Sequence, residues 1–178
     1  MCSSDLAKSA GKWVNRETPP LSPVTDALLQ NPPDGAWLSW RRTLDGQGYS
    51  PLAQVNRSNV GKLRLAWAMT MHEGSNQATP LVHEGVMFLT HPNNLIQAID
   101  AATGDLIWEY QYSFPPDART LGGPTRNIAL YGNRLFLATY DAAIVAIDIH
   151  TGKEAWRTQQ ADYRSEEHTS ELQSPCNL

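Results

Sequence analysis

The chain has 178 residues, 41% hydrophobic and 18% charged, with a formal net charge of −4. That length fits one ordinary domain, and the composition excludes a disordered acidic chain and a coiled coil. The acidic balance argues against a nucleic-acid footprint, no run reaches the ~18 apolar residues of a membrane span, and twelve Gly, twelve Pro and six Trp point to a turn-rich β protein.

In chain order, Met1-Cys2-Ser3-Ser4-Asp5-Leu6 comes first. It lacks the apolar core of a signal peptide. These codons correspond to the complementary strand of a common sequencing-adapter oligonucleotide, read from a GTG start. Arg164 to Ser174 corresponds codon by codon to the adapter itself. Residues 1–6 and 164–178 are therefore expected to be translated adapter, foreign to the fold. Both cysteines, Cys2 and Cys176, lie in these ends, so no disulfide is expected.

Residues 7–23 are polar, Pro-containing and aperiodic, and are expected to be a disordered leader. Thr25 to Gln30 predicts one short helix, capped by Thr25 and stopped at Pro32. Gly46-Gln47-Gly48 is not a phosphate loop, because no third Gly and no Lys-Ser/Thr follow and Pro51 stands where a helix should begin. Asn56-Arg57-Ser58 matches a glycosylation sequon, a triplet frequent by chance, and takes no role.

The second half repeats. Residues 98–108, AIDAATGDLIW, match residues 146–156, AIDIHTGKEAW. A period of 40–50 residues signals a propeller or a solenoid. Short β runs are predicted at Val86 to Thr90, Leu95 to Asp100 and Ile107 to Tyr110, then at Leu135 to Thr139, Ile144 to Asp148 and Ala155 to Thr158. Tight turns separate them, which predicts antiparallel propeller blades. Asp100 and Asp148 are expected to accept turn N–H groups, and Gly104 and Gly152 to supply a positive φ. Trp108 and Trp156 are expected in equivalent, mostly buried positions, filling the gap between neighbouring blades.

This Ala-x-Asp-x-x-Thr-Gly-x-x-x-Trp unit resembles the tryptophan-docking motif of quinoprotein dehydrogenases. Trp40-Arg41-Arg42, Gly48-Tyr49-Ser50-Pro51-Leu52, Val55 to Leu63, Trp67, Ala78-Thr79-Pro80-Leu81-Val82 and Gly85-Val86-Met87-Phe88 are similar to the N-terminal region of the methanol/ethanol dehydrogenase family. The resemblance implies an all-β fold: residues 24–163 as a partial β-propeller, about the first two blades of eight, behind a short helical and loop leader. It also implies pyrroloquinoline quinone (PQQ) as cofactor, with a Ca2+ or lanthanide ion polarising it. The expected activity is oxidation of an alcohol, sugar or polyol in the periplasm, with a cytochrome c or a quinone as electron acceptor.

The same resemblance implies two cofactor contacts. A family Glu that touches the quinone falls at Gln77, and a family Arg that reaches the cofactor falls at Arg126. A guanidinium suits a carboxylated ortho-quinone through paired charge-assisted hydrogen bonds. Many members carry adjacent cysteines as a ring disulfide; here the stretch reads Thr120-Leu121-Gly122-Gly123-Pro124-Thr125, without cysteine. No residue is assigned as catalytic base or metal ligand. His72, His83, His91 and His150 show no metal-ligand spacing, His150 is expected to be solvated, and Asp117 has no evident partner. The parent protein is expected to be a dehydrogenase and the isolated chain inactive, with doubtful PQQ binding. The alternative is a non-enzymatic docking-motif propeller serving protein binding or outer-membrane assembly.

Overall fold

A computed structural model describes residues 18–118, 123–126 and 128–164. The expected adapter segments lie outside these residues except for Arg164. Two four-stranded antiparallel sheets make up the fold. The first contains β1 (Leu81–His83), β2 (Val86–His91), β3 (Leu95–Asp100) and β4 (Leu106–Gln111), and the second β5 (Ala129–Tyr131), β6 (Arg134–Ala138), β7 (Ala143–Asp148) and β8 (Glu154–Gln159). Each sheet is ordered as in sequence. The six predicted runs fall on β2, β3, β4, β6, β7 and β8. The first strand of each sheet has only three residues, too few to show a period of two.

The predicted helix is present as α1 (Asp26–Gln30), where the Thr25 hydroxyl accepts the Leu28 N–H at 3.3 Å. The leader departs from expectation. Its end is tied down: Leu21 is buried in the core, and just after it Val24 exchanges both backbone hydrogen bonds with Gly132. Polar spacing hid this, because a single Leu and a single backbone bridge leave no periodic pattern. Thr18 donates to the His150 carbonyl, which leaves His150 half-buried rather than solvated. Asp117, expected to be unpartnered, accepts hydrogen bonds from the Tyr163 hydroxyl at 2.6 Å and from Arg164 Nε at 3.0 Å. These partners are 46 and 47 residues away, beyond the reach of local sequence patterns.

One packing device joins the two sheets. Asp100 Oδ1 accepts the N–H groups of Ala102 and Thr103 at 2.8 and 3.1 Å. Asp148 Oδ1 does the same for His150 and Thr151, both at 3.1 Å. Each turn closes on a glycine with positive φ, +77° at Gly104 and +67° at Gly152. Trp108, paired with Ala98 across β3–β4, lays its indole on Gly152. A Cβ there would sit 2.6 Å from Trp108 Cδ2. The same indole donates its Nε1–H to the Ile149 carbonyl at 2.9 Å. Phe88 packs beside it, ring centroids 5.8 Å apart.

Trp67 repeats this dock one sheet earlier. A Cβ on Gly104 would meet its Cδ2 at 2.6 Å, and its Nε1–H reaches the Ala101 carbonyl at 3.1 Å. Trp67 belongs to no strand of the described residues. The two docks are alike although the spacing differs.

Trp156 corrects the expectation. It pairs with Ala146 across β7–β8, the equivalent of Trp108 on Ala98, but it is 46% exposed against 5% for Trp108. Its ring leans on Phe136 of its own sheet at 6.0 Å. The difference has a plain cause: burial requires a following turn with its glycine, and none lies against Trp156 among the described residues.

Two predictions follow from these contacts. Trp108→Ala is expected to cost about 3–5 kcal/mol of stability, the usual range for a buried aromatic, and Trp156→Ala less than half of that; urea denaturation of both variants compares them. The second concerns Glu84. Hydrogen bonds from the Ser22 hydroxyl at 2.6 Å and amide at 2.7 Å hold its carboxyl below the usual range. A depressed folded value stabilises above the unfolded pKa and is lost as pH falls through the folded one. Melting temperature is therefore expected to fall below about pH 4.5 more steeply for wild type than for Glu84→Gln.

Candidate functional site

Gln77 lies in the segment leading into β1 and Arg126 in the segment leading into β5, so they enter two neighbouring sheets at corresponding strand starts. The structure brings them together: Arg126 Nε donates to Gln77 Oε1 at 3.0 Å across 49 residues of sequence. The backbone supports the approach, because Thr79 N–H points at the Arg126 carbonyl at 3.4 Å. Gln77 Nε2 in turn donates to the Ser75 hydroxyl at 3.3 Å. Both side chains are exposed.

The amide fixes the guanidinium without neutralising it. Among the described residues no carboxylate lies within ion-pair distance of Arg126, and its two terminal nitrogens have no hydrogen-bond partner there. Tyr140 is near: burial pushes its phenol up, opposed by the Arg126 charge. An oriented guanidinium with no carboxylate beside it among the described residues is suited to a planar anion. The described part of the cysteine-free stretch, Gly123 to Thr125, passes close to Tyr140, whose hydroxyl would stand 3.2 Å from a Cβ on Gly123. Thr120, Leu121 and Gly122 lie outside the described residues.

Sequence reasoning missed the buried polar groups beneath this pair. Thr125 is buried. Its hydroxyl accepts the Asn94 N–H at 3.0 Å and donates to Asn94 Oδ1 at 2.9 Å. Its carbonyl accepts the Thr90 hydroxyl at 2.6 Å. Beside it, His91 Nε2–H donates to Gln97 Oε1 at 2.9 Å, and Gln97 Nε2 donates to Glu109 at 2.7 Å. Burial, then the neighbouring His72, push His91 below the ordinary histidine range, so it stays neutral. The His72 and His91 rings meet edge to face at 4.8 Å. None of this had a sequence signal, since single polar residues in β runs read as surface.

No three or more His, Cys, Asp or Glu side chains converge on a possible metal position among the described residues. The described residues therefore do not fit the expected Ca2+ or lanthanide ion. No helix among them is long and apolar enough to cross a membrane.

Residues 37–133 match the PQQ family described as the glucose/ethanol/alcohol dehydrogenase β-propeller domain. The chain belongs to that family. The dehydrogenase subunit of a quinone-dependent alcohol dehydrogenase from Gluconacetobacter polyoxogenes is 40% identical over 126 residues, covering 68% of this chain and 17% of that protein. A quinoprotein alcohol dehydrogenase of Pseudomonas putida is also 40% identical, over 68% of this chain and 21% of its own. Among solved structures, a quinohemoprotein alcohol dehydrogenase from Pseudomonas putida aligns with a TM-score of 0.68 and 33% identity, covering 79% of this chain and 22% of that one. A europium-containing methanol dehydrogenase aligns at 0.66 and 28%, covering 78% and 25%. The chain thus spans about a fifth of the length of these relatives, and its two sheets are propeller blades.

Proposed function

We propose that this chain is the part of a PQQ-dependent alcohol dehydrogenase that supplies two blades and two of its cofactor contacts, Arg126 and Gln77. The carrying observation is the amide-held guanidinium at the junction of two blades, with no acid beside it among the described residues. When bound, PQQ supplies the redox chemistry, accepting two electrons from the alcohol carbon. What this chain does is bind and orient. Arg126 Nε–H is committed to Gln77, which would leave the remaining guanidinium N–H groups to donate to an acidic or quinone oxygen. The Gln77 amide sets the plane of the fork and adds no charge. Proton abstraction and metal binding fall to residues other than those described.

We place the parent enzyme in the periplasm, acting on a primary alcohol, with a cytochrome c or a quinone as acceptor. The relatives' names support the alcohol; the compartment and acceptor rest on the family resemblance.

The test uses the uninterrupted parent protein, reconstituted with PQQ and assayed by dye-linked oxidation of ethanol or 1-butanol. Activity is expected with PQQ and not without it. Arg126→Ala is expected to weaken PQQ binding about 10- to 100-fold, the usual effect of losing one charge-assisted hydrogen-bonding group. Unchanged PQQ affinity in that variant would overturn the assignment. The 178-residue chain alone is expected to show neither micromolar PQQ binding nor turnover, because micromolar affinity needs about 8 kcal/mol net and two polar contacts supply roughly 1–3 kcal/mol each.

A further inference from the structure

The segments carrying both cofactor candidates rest on the turn between β2 and β3, His91-Pro92-Asn93-Asn94. Gly74, in the segment leading to Gln77, lies so close to Pro92 that a Cβ would approach its Cγ to 2.9 Å, and its φ of +121° also favours glycine. Thr125, immediately before Arg126, bonds to Asn94 in both directions. Asn93 and Asn94 hold left-handed φ of 63° and 56°, a conformation asparagine tolerates better than most residues. Asn94 is buried, and its Nδ2 has no partner among the described residues. The side chain's hydrogen bonding in this structure is therefore directed at Thr125.

We propose that Thr125 is a positioning residue: through its reciprocal bonds to Asn94 it pins the segment leading into the second blade onto the first, and so fixes the Arg126 guanidinium beside Gln77. This rests on the reading of Arg126 as a cofactor contact. The geometry favours positioning over simple stability. Three hydrogen bonds converge on one residue of a segment that has no strand partners among the described residues, and the next residue's guanidinium is the group they immobilise. The Thr90 hydroxyl, held by the Thr125 carbonyl, closes the clamp from β2.

The experiment reads the Arg126 Nε–H by 15N NMR of the full 178-residue chain, with the signal assigned by its loss in Arg126→Lys. The Trp108 Nε1–H serves as the internal report that the two blades remain docked. In Thr125→Val the Arg126 Nε–H is expected to exchange with solvent about tenfold faster while the Trp108 signal is unchanged. Thr125→Ser, which keeps the hydroxyl, is expected to restore slow exchange. A purely structural role predicts loss of melting temperature with no selective change at Arg126, and that result overturns the proposal. If Thr125→Val also loses the Trp108 signal, Asn94→Gly decides: it tolerates the left-handed backbone, keeps the N–H donor and removes the Oδ1 acceptor together with the rest of the side chain. Unaltered Arg126 exchange there overturns the proposal, and faster exchange supports it. None of these readings needs PQQ, so failure of the positioning role is distinct from failure of the cofactor role, which the Arg126→Ala titration tests.

Discussion

An indole ring laid flat on a glycine joins the first sheet to the second, and everything else in the structure depends on that joint. A four-stranded sheet this small cannot bury both of its faces alone. The dock supplies the missing surface: the Trp108 ring covers Gly152 and its N–H satisfies the Ile149 carbonyl. The glycine is demanded twice, once by its positive φ and once by the ring where a Cβ would stand. The aspartate two positions before the turn's crest holds the loop in the shape that presents the glycine. Sequence, turn, and inter-blade packing are thus one device, which explains why eleven residues repeat so closely while their surroundings drift.

That economy decided what could be read in the sequence. The repeat, the six longer strands, the capped helix and the family were legible because each is written in local residues at fixed spacing. Trp156 was misjudged because its burial depends on a turn it does not itself encode. Its side chain is the same as that of Trp108; only the neighbour differs. The packed end of the leader escaped for a related reason: Ser22 bonds to Glu84, 62 positions away, and Thr18 to His150, 132 positions away. At the site, resemblance pointed to Gln77 and Arg126 separately, and the fold showed them hydrogen-bonded. The Thr125–Asn94 clamp had no signature, since a Thr and an Asn are among the commonest loop residues.

The proposed site is shared property. Neither blade owns it: one contributes the amide and the platform, the other the guanidinium. A contact built across a joint is only as exact as the joint, so the tryptophan dock and the buried polar clamp act on the same geometry from two directions. The dock sets blade against blade, and the clamp sets one loop against one turn. Tyr112 adds a third tie, its hydroxyl donating to the buried Asp141 at 2.7 Å, and burial with that carboxylate beside it pushes its phenol up to about 12.

The position of Trp67 has a consequence for self-association. Each blade carries a donor ring on its last strand and a receiving glycine in its last turn, so the joint is one-way, a head-to-tail contact of the sort that grows into open fibres when nothing closes it. In this chain the receiving glycine of the first blade is already filled, by a tryptophan from a stretch with no strand partners among the described residues. The second blade's donor, Trp156, therefore finds no vacant receiver on another copy. Joining two copies through this contact requires Trp67 to leave Gly104 before the Trp156 of another copy can land, an exchange rather than an addition, and that makes an internal ring a brake on polymerisation.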